Sequence, residues 1–176
     1  MGNETSDYTV KHSSKNYCKK YFFFMLILFF LSCNTKTPPD EELIKNFYNK
    51  KKILDRLVFL FEQEKNIRKI DLDFVSPSGT LEKKKLNFYH NLLKQANIQQ
   101  INGFGDKSEI NFIYYTSGLS ISGTSKGYTY SKLPPDLIVN NLDEYYIYQR
   151  KKNTFLSYFA YRHITDKWYL RHIVDD

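Results

Sequence analysis

Eleven consecutive apolar or aromatic residues, YFFFMLILFFL, run from Tyr21 to Leu31 without a charge. Coiled into a helix, such a run is roughly 17 Å long, at about 1.5 Å per residue. The hydrocarbon core of a bilayer is about 30 Å thick, so the run is too short to span it. Lys11, Lys15, Lys19 and Lys20 precede it, and the small residue Ser32 follows. A basic flank, a short apolar centre and a small residue at the cut predict a secretory signal peptide over residues 1–32. Three other readings compete: an uncleaved anchor, a buried core element, and a myristoylated start, since MGNETS carries the Gly2 and Ser6 of that pattern.

Cys33 stands directly after Ser32. Leu31, Ser32 and Cys33 together resemble the lipobox of bacterial lipoproteins. The resemblance implies cleavage between Ser32 and Cys33, with Cys33 then carrying a diacylglycerol and an amide-linked acyl chain such as palmitate. It also implies a place in the cell envelope, with the folded part facing the periplasm. Asn34 lacks the acidic residue that retains many such proteins in the inner membrane, which points to the outer membrane. Cys18 is the one other cysteine, so the body can form no internal disulfide.

Removing the first 32 of 176 residues leaves 144, the size of a single domain. The removed part holds four lysines against Glu4 and Asp7, so +5 of the chain's +7 charge stays with the body. Its basic clusters, Lys50–Lys52, Lys83–Lys85 and Arg150–Lys152, are short and read as solvated faces, with an anionic partner as the minority reading. No aromatic–basic pattern of a nucleic-acid module is present, and no nucleic-acid partner is expected.

Residues 33–39, polar and interrupted by Pro38 and Pro39, read as a tether to a domain over 40–176. Asp40, Glu41 and Glu42 then open a helix, whose Leu43, Phe47, Leu54, Leu57, Val58 and Phe61 form one apolar stripe to about residue 66. Ile70, Leu72 and Phe74 alternate with Asp71 and Asp73, predicting one half-buried strand. A second helix is predicted over about 80–96, with Leu86, Tyr89, Leu93 and Ala96 on its apolar face and His90 at the edge. Beyond Ile98 the chain reads as strands. Glu109–Gly118 and Gly127–Ser131 are joined by a hairpin or a wide loop, and Tyr145–Arg150, Phe155–Ile164 and Trp168–Val174 form a three-stranded meander. The fold class expected is α+β: a twisted antiparallel sheet of about five or six strands with two N-terminal helices packed on one face. Tyr128, Tyr130, Tyr161, Trp168 and Tyr169 are the expected interaction surface, on the open face.

Chemistry is sparse. His163 and His172 lie on strands expected to be neighbours, with Asp166 in the turn between, so they are the candidate metal ligands or hydrolytic pair if they share a face. A one-residue slip would separate them. The sequence has no G-x-S-x-G and no H-E-x-x-H, and GFGD at Gly103–Asp106 reads as a turn. No cofactor is expected.

KGYTYS (Lys126–Ser131), PP (Pro134–Pro135), NNLDEY (Asn140–Tyr145), AYRHI (Ala160–Ile164) and KWYL (Lys167–Leu170) together resemble a group of uncharacterised small bacterial lipoproteins. That likeness implies kinship without a reaction. The functional expectation is a lipid-anchored, non-enzymatic binding domain with a protein partner, for instance an immunity-type protein against a delivered toxin. The alternatives are an accessory subunit of an envelope assembly and a small hydrolase using His163 and His172.

Overall fold

A computed structural model describes residues 36–119, 122–152 and 157–175. The expected signal peptide over residues 1–32, with its cleavage and lipidation positions Ser32 and Cys33, lies outside the described residues. The folded unit is Thr37–Asp176.

Helix α1, Asp40–Gln63, buries the whole predicted stripe from Leu43 to Phe61. Each large apolar side chain taken fully out of water contributes about 1.5–3 kcal/mol, so six of them on one face decide where the helix lies. Asp40, Glu41 and Glu42 fill its first turn, but its last turn has no basic residue. Lys107 supplies the missing cation from a distant loop, with Nζ donating to the Phe61 carbonyl at 2.5 Å and to the Glu64 carbonyl. Burial pulls this ammonium down to about 8, against the opposing charges of Glu64 and Glu62.

The predicted single strand at 70–74 is instead a tight hairpin of β1, Lys69–Asp71, and β2, Val75–Ser76. The Asp71 carboxylate accepts from the backbone N–H of Asp73 and Phe74, both at 2.8 Å, and this local turn overrides the alternation. Helix α2, Lys83–Ala96, stops at Asn97, whose φ of 59° is a left-handed cap.

Strands β3, Gln100–Gly103, β4, Glu109–Leu119, and β5, Ser122–Ser131, continue the sheet. The glycine- and serine-rich link between the last two belongs to the strands themselves, which pair from Glu109↔Ser131 to Leu119↔Ser122. Register shifts between Ile113 and Tyr115, opposite Gly127. A Cβ on Gly127 would stand 2.0 Å from the Phe112 carbonyl oxygen, so only glycine fits against the bulge.

Tyr145–Arg150, expected as a strand, lies in helix α3, Leu142–Lys151. Asn141 caps it, its side-chain oxygen accepting from Asp143 N–H at 2.9 Å and Glu144 N–H at 3.0 Å. Asp143 and Glu144 at the start and Arg150 and Lys151 at the end both complement the helix dipole. Capping and end charges outweigh the strand preference of Tyr145, Tyr146, Ile147 and Tyr148. The expected meander is therefore a two-stranded hairpin of β6, Tyr158–Thr165, and β7, Trp168–Asp175.

The fold class is α+β, with one antiparallel sheet of seven strands in the order β2-β1-β3-β4-β5-β7-β6 and three helices among the described residues. The expected count of strands and helices was lower because the 69–76 hairpin, β3 and α3 were not resolved by sequence pattern. Phe47 stacks edge-on against Trp168 at 5.3 Å, and Phe112 lies at the same distance from Trp168, which places α1 on the inner face of the sheet. Tyr145 and Tyr146 of α3 pack on Tyr158 and His172, on that same face. Both sheet edges are blunt: β2 has two residues and ends at Pro77, and the backbone of Leu137 and Val139 already pairs with Tyr161 on β6. Among the described residues no helix is long and apolar enough to cross a membrane.

Candidate functional site

The tyrosine-lined surface read from sequence is corrected by the faces on which those residues fall. Tyr128 and Trp168 are core residues, 1% and 2% exposed, beneath α1. Tyr128 donates its hydroxyl to the Leu43 carbonyl at 2.8 Å and accepts from Asn46 at 3.0 Å, and burial pushes the phenol's pKa up. Tyr130 packs on Trp168 at 5.4 Å. Tyr161 and Tyr169 do face outward but are themselves buried.

The histidine pair is corrected too. His163 pairs with Tyr169 across β6 and β7, whereas His172 pairs with Ala160, three positions along. The odd offset puts the two rings on opposite faces. His163 is exposed and stacks edge-on against Tyr169 at 5.3 Å. His172 is 1% exposed, with Nε2 2.9 Å from the Thr124 hydroxyl. Burial, and then the positive charge of Lys126, lower its pKa to about 4, so it is neutral at physiological pH. Among the described residues no group of three or more His, Cys, Asp or Glu is placed to hold a metal ion.

Two clusters of charge remain, neither of which was singled out from sequence. The first is a buried ionic junction where α1 and α3 begin. Lys126 of β5 is fully buried, and its Nζ lies 2.6 Å from Asp40 Oδ1 and 2.5 Å from Asp143 Oδ1. The Asp40 contact is an ion pair without hydrogen-bond geometry. Lys126 also donates to the Pro38 carbonyl at 3.0 Å. The helices cap one another: Asp143 accepts from the Asp40 N–H, and Asp40 accepts from the Leu142 N–H, each at 2.8 Å. Arg162 completes the set, 3.2 Å from Asp40 and 2.9 Å from Glu41. Two cations meet three carboxylates, of which Glu41 is exposed, and every helix-end donor named has an acceptor, so the chemistry available here is cohesion. Lys126, Asp143 and Arg162, from KGYTYS, NNLDEY and AYRHI, are far apart in sequence and meet at this junction.

The second cluster lies on the outer face, opposite the helices. Lys69, Asn102, Asn111, Thr129, Tyr169 and His163 form one cross-strand row through six strands. Asn111 accepts from the Thr129 hydroxyl at 2.7 Å through Oδ1, so its N–H groups are what it offers outward. Two residues along β7 from Tyr169, Arg171 pairs with Gly127 and lines a groove of about 730 Å³ with Arg68, Lys69, Gln100, Asn102 and Asn111. Its side chain is 12% exposed, yet among the described residues its one ion pair is with Glu109 at 3.8 Å, beyond hydrogen-bond reach. Lys69 is 3.6 Å from Asp71, and among the described residues the Arg68 side chain has no ion pair.

Compared with known proteins, the chain matches no family model, and no curated protein or solved structure is significantly similar to it.

Proposed function

We propose that this chain is a lipid-anchored protein of the bacterial cell envelope whose folded unit is a non-enzymatic binding domain. Cys33 carries the lipid, the outer membrane is the favoured residence, and the unit faces the periplasm. Its most concrete form is an immunity-type protein that blocks a delivered toxin. The observation that carries the binding reading is the outer-face groove, where three cations and three amides line one surface with a single carboxylate, Glu109, among them. The short apolar run, its lysine-rich flank and Cys33 support the anchor. The test is the mass of the N-terminal peptide of protein taken from the membrane fraction. A peptide beginning at Cys33 with added diacylglycerol and acyl mass is expected. A peptide beginning at or near Met1 without acyl mass removes the lipid anchor and the localisation argued from it.

A further inference from the structure

We propose that the outer face of the sheet docks an extended, acidic segment of a protein partner, with its carboxylates over Arg171 and Arg68. This deepens the binding reading above and rests on it.

Charge is the first argument. Arg171 is largely withdrawn from water, and burial lowers its pKa below the ordinary guanidinium value. A guanidinium so placed needs acceptors at about 2.7–2.9 Å, and Glu109 at 3.8 Å does not provide one. The planar fork of arginine fits a carboxylate through two parallel hydrogen bonds, which a lysine could not offer. Arg68 and Lys69 widen the positive field, and the Asn102 and Asn111 amides beside them suit the polar backbone of a peptide.

Shape is the second argument. A cavity of about 410 Å³ at one end shares Arg68 with the central groove. Another, of about 490 Å³ at the other end, shares Glu109, Phe159 and Tyr161 with it. The three are therefore contiguous across the face and form a trough. Crossing from β1 to β6 takes about 24 Å at about 4.8 Å per strand, the reach of roughly seven extended residues. The cations are spread along the trough, Arg68 and Lys69 at the β1 end and Arg171 on β7, while Leu133, Pro134, Leu137 and Phe159 make the β6 end apolar. The matching segment spaces its acids along its length, to meet Arg68 at one end and Arg171 further on, and ends in an apolar side chain at the β6 side. Because both sheet edges are blunt, such a segment reaches the sheet through its face and not by adding a strand.

The experiment uses the full chain, isotope-labelled in detergent, titrated with a blocked heptapeptide that has glutamates at its first, third and fifth positions, a leucine at its seventh and glycines between. Saturable shifts at the Arg171 side chain and the Asn102 and Asn111 amides are expected. A peptide with glutamine for glutamate is expected to bind about tenfold or more weakly, equivalent to about 1.4 kcal/mol. Arg171→Gln should lose the response. The exposed Arg68→Gln, which leaves the fold undisturbed, should weaken it severalfold. No saturation by about 5 mM, equal binding of the glutamine peptide, or shifts confined to the helices would overturn the proposal. The same shifts from inorganic phosphate alone would mark a small-anion site and overturn it as well. A photo-crosslinker placed in cells at Phe159 (58% exposed, in the trough) or at Phe59 (63% exposed, on α1) separates this from the broader reading. Adducts at Phe159 on an acidic segment support the trough. Adducts at Phe59 alone keep the binding domain and overturn the trough, and adducts at neither overturn both.

Discussion

Lys126 and Arg171 sit on neighbouring strands of one sheet, point to opposite faces, and are both largely withdrawn from water. Lys126 has two carboxylates at 2.5 and 2.6 Å and a backbone carbonyl at 3.0 Å. Arg171 has one carboxylate at 3.8 Å. The difference separates two uses of the same chemistry. A buried cation whose acceptors are complete serves the fold, and removing it leaves carboxylates stranded. A half-buried cation with one distant carboxylate keeps hydrogen-bonding capacity that another molecule can take up.

The hardest test of that contrast is Lys126→Met. It removes the cation shared by Asp40 and Asp143, leaving Arg162 as the one cation beside buried Asp40, and is expected to cost about 3–5 kcal/mol, read by urea unfolding. A loss under about 1 kcal/mol would mean that the junction does not hold the helices. The neighbouring Gly127→Ala should cost about 3 kcal/mol, or prevent folding, because its Cβ would meet the Phe112 carbonyl oxygen at 2.0 Å.

Acid probes the junction without mutation. His172 has a folded pKa of about 4 against an ordinary 6.5. The unfolded chain therefore takes up its proton first, and stability falls as pH drops from about 6.5 to about 4, then levels. The whole contribution is about 3 kcal/mol at about 1.4 kcal/mol per unit. Subtracting the pH–stability curve of His172→Gln isolates it, and a flat difference would show that the ring is not held neutral.

Smaller effects sharpen the comparison. Asn141→Ala removes the cap that aims Asp143 at Lys126 and should cost about 1 kcal/mol in thermal unfolding. Arg68→Gln on the open face should change stability by less than about 0.5 kcal/mol while weakening acidic-peptide binding. A larger loss of stability would place Arg68 with the structural cations instead.

What could be read in advance follows from the range of each interaction. The α1 stripe was legible because six large apolar residues recur at helical spacing within one segment. The β6–β7 hairpin was legible because Asp166 and Lys167 interrupt two strong strand patterns. Helix α3 was not, since its tyrosines favour strands and one cap at Asn141 decides against them. Nor was the 69–76 hairpin, where a single Asp71 carboxylate reverses the chain. The junction itself joins Asp40 to Asp143 and Arg162, separated by 103 and 122 residues, which no local pattern can register. Assigning Tyr128 to the core required knowing the face of β5 that α1 covers.

The grip of Lys126 on the Pro38 carbonyl has a mechanical consequence. The chain enters the folded unit at its densest knot of charge, two residues before α1 begins. Tension arriving from the N-terminal side would load that knot at once, with the pull shared among β5, α1 and α3 before any turn of helix could unravel. Force applied to the chain at Pro38 therefore meets the ionic junction before it meets the helix.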